Sequence, residues 1–212
     1  MSGAGASSLA LEVENLAASR GLRLLFEGLA FRVSAGESLE LRGANGSGKS
    51  TLLRILAGLT RPHEGRVRYS GAGPDSDGEA ARHYLGHLDA VKPTETALEQ
   101  ARFWARYFGR PQDVADAAVK RVGLANRKAV PGRGLSAGQK RRLALTRLLI
   151  EPRPVWLLDE PTAALDTEGR ALVMQLVAEH RAGGGMVIAA VHGEGFAGSR
   201  VLDLSALKSV VA

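Results

Sequence analysis

The sequence predicts an α/β fold, on three observations: a β-rich opening, a helical stretch in the middle and a βαβ pattern at the end. Residues 9–16, 22–25 and 29–33 are short apolar or alternating runs separated by Gly and Ser, which read as separate strands. Residues 38–42 form another, running straight into a glycine-rich stretch. Residues 50–59 carry Leu52, Leu53 and Leu56 at helical spacing, and 66–69 and 83–86 read as strands. Between them the Gly- and Asp-rich residues 71–78 predict a turn or mobile loop. The pattern turns helical over 94–108 and 111–122, the latter opened by a proline whose missing N–H costs little there. After a loop marked by Pro131, Gly132 and Gly134, residues 137–150 form a helix stopped near Pro152. A strand (155–158), a helix (167–181) and two strands (186–191, 201–204) close the chain. The expected organisation is a core at approximately 9–88 and 151–212, a helical subdomain at approximately 89–150, and a flexible tail at 1–8.

At 212 residues the chain suits one compact domain with a small subdomain. It has no cysteine, which removes disulfides, thiolate metal sites and a Cys nucleophile together, and fits a reducing compartment. The first eight residues are small and polar, unlike a signal peptide. No apolar run approaches the ~20 residues of a membrane helix, so work at a membrane requires another chain to supply the membrane part. The formal charge is +6, with arginine supplying 22 of 28 basic residues. These are scattered, apart from Lys140-Arg141-Arg142, and no aromatic-rich basic segment accompanies them, so nucleic acid is not an expected partner.

Gly43-Ala44-Asn45-Gly46-Ser47-Gly48-Lys49-Ser50-Thr51 lies between a predicted strand and a predicted helix. Glycines let the backbone wrap closely and point N–H groups at anionic oxygens, while the helix adds its positive end. Lys49 reaches β and γ phosphates in such a loop, and the Ser50 hydroxyl holds Mg²⁺. A glycine-rich turn before a helix is the plainer alternative, and the strand–loop–helix context argues against it.

Val155-Trp156-Leu157-Leu158 ends in Asp159-Glu160. Two carboxylates closing an apolar strand need compensating charge; beside a phosphate loop, the first holds Mg²⁺ through its water shell. Glu160 is then placed to act as general base on the attacking water. Two helix-capping acids would be the structural alternative.

Leu135-Ser136-Ala137-Gly138-Gln139 opens a predicted helix at Ser136, with Gly138 allowing a close approach: a second anion-binding helix start. One loop already wraps phosphates within the chain, so a second start is best used on another molecule's nucleotide, in a head-to-tail homodimer. With twenty positions from Gln139 to Asp159, the three segments together resemble the ATPase subunits of ABC transporters. That resemblance covers nearly the whole chain. It implies a phosphate-loop NTPase (RecA-like) core with an N-terminal antiparallel β subdomain and an inserted α-helical signature subdomain. It implies ATP and Mg²⁺ as cofactors. Within Pro161-Thr162-Ala163-Ala164-Leu165-Asp166 it puts Asp166 at the dimer contact, and His192 becomes the switch histidine at the γ-phosphate.

Three positions depart from the family, the mildest being Ala137, which stands where the signature usually has its first glycine. Leu88, beside His87, stands where a glutamine usually senses Mg²⁺ and water. The aromatic that stacks on adenine is missing, and its place falls near Arg20, whose guanidinium plane can stack instead.

Gly86-His87-Leu88-Asp89-Ala90-Val91-Lys92-Pro93, followed by Thr96-Ala97-Leu98-Glu99, resembles the ATP-binding subunits of the haem-exporter complex of cytochrome c biogenesis, as do residues 136–148. This implies integral membrane permease subunits as partners, a peripheral position on the cytoplasmic face of the inner membrane, and haem delivery driven by ATP. His63, His83, His87 and His180 are scattered and read as solvated or structural, not as haem ligands. An ABC ATPase for another cargo stays open. A soluble ABC-type ATPase of nucleic acid or ribosomes would need a coiled-coil insertion or a second ATPase domain, and a GTPase would need an Asn-Lys-x-Asp motif; neither is present. Phe103, Trp104, Tyr107 and Phe108 are expected to be subdomain core, and the helical subdomain to receive the membrane partner.

Overall fold

The structure is a computed structural model that describes residues 9–71 and 82–205; the predicted tail 1–8 and most of the predicted loop 71–78 lie outside them. In chain order the elements are β1 (Ala10–Arg20), β2 (Arg23–Ser34), β3 (Ser38–Arg42), α1 (Lys49–Leu56), β4 (Glu64–Ser70), β5 (Arg82–Leu85), α2 (Ala97–Tyr107) and α3 (Gln112–Arg121). There follow α4 (Ala137–Ile150), β6 (Val155–Asp159), α5 (Thr167–Ala182), β7 (Met186–Ala190) and β8 (Arg200–Asp203). The chain divides into two units. One takes the described residues up to Tyr84, Arg153–Glu160 and those from Val177 onward; the other takes Leu85–Pro152 and Pro161–Leu176.

The first unit holds a three-stranded antiparallel sheet, ordered β2-β1-β4. The second sheet is ordered β5-β6-β7-β3-β8, with β6 and β7, β7 and β3, and β3 and β8 paired in parallel. Every residue of β6 and β7 is buried, which is why both read as continuous apolar runs without alternation. The core joins Leu11, Leu16, Phe26, Leu41, Leu52, Leu56, Leu157 and Ile188.

Residues 22–25 and 29–33 do not form separate strands: 23–25 and 29–33 belong to the single strand β2, and Leu22 sits exposed in the hairpin turn before it. Gly28 lies inside the strand at φ +63°. The pairing with β1 continues on both sides of it (Leu16 with Leu29, Ala18 with Phe26), with register shifts taking up the irregularity.

Helix α1 turns Leu52, Leu53, Ile55 and Leu56 inward. Its far end is fastened twice, because the Leu56 carbonyl accepts from Tyr69 Oη at 2.8 Å and from Arg82 Nη1 at 3.3 Å. Burial pushes the Tyr69 phenol up to about 12.

The Trp156 and His180 rings stack at 3.9 Å, and His180 Nε2–H donates to the Pro154 carbonyl at 3.2 Å. Burial holds the His180 pKa below its ordinary 6.5. Below that value the unfolded chain binds a proton that the folded chain refuses, so stability falls as pH drops through this window. Melting temperatures between pH 8 and pH 5 are expected to decline less steeply in His180→Gln than in the parent; parallel profiles would refute the role.

In the second unit α2, α3 and α4 pack on one another. A capping box opens α2: Glu99 N–H donates to Thr96 Oγ1 at 3.2 Å, and the Thr96 N–H donates to Glu99 Oε2 at 2.7 Å. The inner face of α2 is Ala97, Gln100, Ala101 and Ala105, and its three alanines are small enough to let the neighbouring helices approach closely. That face displaces the aromatics. Phe103, Trp104, Tyr107 and Phe108 form a stacked surface cluster instead of subdomain core, Tyr107 being 69 % exposed. Lys92 lies over the Phe103 ring and Arg147 over Trp104.

Candidate functional site

In the first unit, β3 delivers the chain into the loop from Gly43 to Gly48, and α1 begins at Lys49. Gly48 caps α1 at φ +105°, a conformation that residues with side chains rarely adopt, and an added Cβ would crowd the Phe26 ring at 3.1 Å. No side chain caps this helix, which leaves its first N–H groups facing outward. The Ala44 N–H donates to Ser205 Oγ at 3.0 Å and the Ser47 N–H to the Ala44 carbonyl at 3.1 Å. Lys49 is 7 % exposed, and its Nζ donates to the carbonyls of Gly43 at 2.7 Å and Ala44 at 3.2 Å. The buried Ser47 Oγ has no hydrogen-bond partner among the described residues. An uncapped helix start, an ammonium and an orphaned hydroxyl on one glycine loop make a fitting cradle for a polyphosphate.

Asp159 ends β6, buried at 3 % exposure, and the chain turns at Glu160 with φ +51°. A non-glycine residue held there carries strain of about 1–3 kcal/mol, sustained in part by the Glu160 N–H donating to the Ala190 carbonyl at 3.0 Å. Because β6 and β7 are adjacent and parallel, the residues that follow them meet. His192 Nε2 lies 3.3 Å from Glu160 Oε1, with both side chains partly exposed. Ser50 sits exposed in the first turn of α1, and Thr51 is half-buried after it. Among the described residues no three His, Cys, Asp or Glu side chains cluster as a metal cage. A hydroxyl (Ser50) and a carboxylate (Asp159) are hard oxygen donors of the kind Mg²⁺ takes when phosphates complete its shell. Arg20 ends β1 exposed, opposite Arg23 at the hairpin tip.

The second unit holds the other predicted segment. Ser136 caps α4 in a capping box: the Gln139 N–H donates to Ser136 Oγ at 3.2 Å, and the Ser136 N–H donates to Gln139 Oε1 at 3.0 Å. Leu135 is buried, Ala137 exposed. A Cβ on Gly138 would stand 2.8 Å from the Ala164 carbonyl, so glycine lets α4 rest on that backbone. Asp166 accepts from the Gly169 N–H at 2.8 Å at the start of α5, and Arg142 Nη2 lies 3.6 Å from its other oxygen.

Sequence reading missed Ser205, whose contact with Ala44 spans 161 positions and leaves no local signal. It also missed Arg141. Read as part of a basic run, Arg141 is 3 % exposed and bonded to Gly86, Asp89 and Pro161.

The ABC transporter family model matches residues 26–163. The cytochrome c biogenesis ATP-binding export protein CcmA of Paramagnetospirillum magneticum is 49 % identical over 195 residues, covering 89 % of this chain and 90 % of that protein. Among solved structures, an ABC transporter ATP-binding protein of Pyrococcus furiosus superposes with a TM-score of 0.81 at 22 % identity, covering 93 % of this chain and 98 % of the other. A dimeric post-hydrolysis ATP-binding cassette bound to ADP and Pi gives 0.74 at 24 % identity, covering 86 % of this chain and 88 % of the other. These two establish the fold alone; the family model and the curated relative go further. The chain belongs to the ABC transporter family, as an ATP-hydrolysing subunit of the CcmA type.

Proposed function

We propose that this chain is the ATP-binding and hydrolysing subunit of a haem-exporter complex, coupling ATP hydrolysis to haem delivery for c-type cytochrome assembly. The likeness to the CcmA export proteins carries the haem assignment, and the pairing of Glu160 with His192 at 3.3 Å carries the hydrolysis. In this reading the N–H groups of Gly46, Gly48, Lys49, Ser50 and Thr51, with Lys49 Nζ, hold the β and γ phosphates of ATP. Glu160 takes the proton of the water that attacks the γ-phosphorus, the bond to the β–γ bridging oxygen breaks, and ADP and phosphate leave. His192 donates Nε2–H to the Glu160 carboxylate, orients it and contacts the γ-phosphate. Ser50 and Asp159 are the residues that would hold Mg²⁺, which neutralises charge developing on the phosphate oxygens when bound.

Two copies work head to tail. Leu135, Ser136, Ala137, Gly138 and Gln139 of one serve the nucleotide of the other, and Asp166 stands at the contact between copies. The dimeric state of the ADP-bound cassette supports this arrangement. Among the described residues no helix is long and apolar enough to cross a membrane, and the CcmA relatives are export proteins. Permease subunits therefore supply the membrane part, with this chain peripheral on the cytoplasmic face of the inner membrane. The surface cluster of Phe103, Trp104, Tyr107 and Phe108 offers them an apolar dock rimmed by Lys92 and Arg147. The adenine stacks on Arg20.

The test is to tag the chain in its native cells, solubilise mildly and identify co-purifying proteins by mass spectrometry. Small membrane proteins of cytochrome c maturation are expected. A different permease would overturn the haem assignment while keeping the ATPase. Ribosomes or nucleic acid, with no membrane protein, would overturn the transporter reading.

A further inference from the structure

We infer that Arg141 is a positioning residue that locks the segment Gly86-His87-Leu88-Asp89 to the helix start at Ser136, so that the two shift as one. The inference rests on the ATPase reading above and adds to it a residue with no part in binding nucleotide.

Arg141 lies in the second turn of α4, on the helix that Ser136 caps. Its Nη1 donates to the Gly86 carbonyl at 2.8 Å and to Asp89 Oδ1 at 2.9 Å, and its Nε approaches the Pro161 carbonyl at 3.4 Å. One buried guanidinium thus gathers three stretches of chain. The first follows β5, the second follows Glu160 directly in sequence, and the third is the signature helix itself. Burying such a charge is unfavourable unless its donors are well met, and an apolar side chain of similar volume packs at least as well. What the guanidinium adds is geometry: a planar fork fixes its acceptors in direction as well as distance.

The downstream part of the same segment is also held within this unit. Gln100 of α2, 6 % exposed, accepts from the Lys92 N–H at 2.8 Å and donates to the carbonyls of Lys92 at 3.1 Å and Glu95 at 2.9 Å. The Arg133 N–H donates to the Pro93 carbonyl and the Gly132 N–H to the Glu95 carbonyl, both at 2.9 Å. The segment is therefore fastened at Gly86 and Asp89 to α4, at Lys92 and Glu95 to α2, and at Pro93 and Glu95 to the loop before the signature, so that a displacement at Gly86 is transmitted, not absorbed. Leu88 is 82 % exposed and apolar; the polar links between this segment and α4 are made on either side of it, by the Gly86 carbonyl and the Asp89 carboxylate.

The experiment uses the tagged chain purified with the membrane subunits that accompany it, and compares the parent with Arg141→Met, Arg141→Lys and Asp89→Ala. Direct titration gives the ATP Kd, phosphate release gives kcat and the Hill coefficient, and melting gives the folded fraction. Arg141→Met is expected to keep the ATP Kd within about twofold, lower kcat about tenfold and bring the Hill coefficient from about two toward one. Arg141→Lys, a point charge that satisfies one acceptor at a time, is expected to recover part of kcat. Asp89→Ala, which removes the carboxylate that the buried Arg141 donates to, is expected to reproduce the loss of cooperativity in the fraction that melting shows to be folded. Variants of parent kcat and Hill coefficient would overturn the inference, as would a rise in Kd together with a fall in kcat and melting temperature, without rescue by lysine. A parent that binds but does not hydrolyse ATP would overturn the ATPase reading, and this inference with it.

Discussion

Replacing Glu160 by glutamine is expected to lower ATP turnover by about 10²–10⁴-fold while leaving ATP binding unchanged. Glutamine has nearly the same shape, keeps an oxygen to accept from His192 at the 3.3 Å contact, and places no new bulk at φ +51°. It cannot take a proton from water. The phosphate loop itself, residues 43–51, keeps its sequence in this variant. Phosphate release over a range of ATP concentrations, with a parallel equilibrium titration, separates the two quantities. A variant that hydrolyses ATP at close to the parent rate would remove Glu160 from the base role and leave His192 to be examined alone.

The second large effect belongs to Lys49. Its ammonium now donates to the carbonyls of Gly43 and Ala44, at 2.7 and 3.2 Å, so it is already aimed into the loop. Lys49→Met keeps the buried stem and removes the charge. Charge-assisted hydrogen bonds are worth about 1.5–3 kcal/mol each; losing two of them to phosphate oxygens weakens ATP binding by about 10²–10⁴-fold. The fold should hold, because methionine fills the same volume and has no ammonium to leave unpaired. Calorimetric titration with ATP checks the affinity, and a thermal melt without nucleotide checks the fold. Undiminished ATP affinity would show that the loop backbone alone supplies the site.

What the sequence disclosed follows from how local each signal is. Helix α4 runs over the predicted residues because both of its ends are written nearby, in the Ser136 cap and the Pro152 stop. The glycine loop and the two apolar strands β6 and β7 are equally local. Strand β2 was misread because Gly28 looks like a break, whereas a paired neighbour carries the strand through it. The aromatics of α2 were misplaced for a related reason. Side-chain size marks candidates for burial, but close helix packing selected Ala97, Ala101 and Ala105 for the inside. The meeting of Glu160 with His192 depends on β6 lying beside β7, and strand order is not encoded in any one segment. Arg141 shows the opposite limit: a charge within a basic run gives no sign that its acceptors, at Gly86 and Asp89, lie more than fifty positions away.

The double fastening of Leu56 has a thermodynamic consequence for the loop at the other end of its helix. With the Leu56 carbonyl held by Tyr69 and Arg82, and Leu52, Leu53 and Ile55 locked in the core, α1 has little freedom left to lose when an anion meets its first turn. Conformational entropy that a looser loop would surrender on binding has been surrendered already, during folding. Loosening the far end, away from any phosphate, would therefore weaken the grip through an entropic penalty and leave the contacts themselves unaltered.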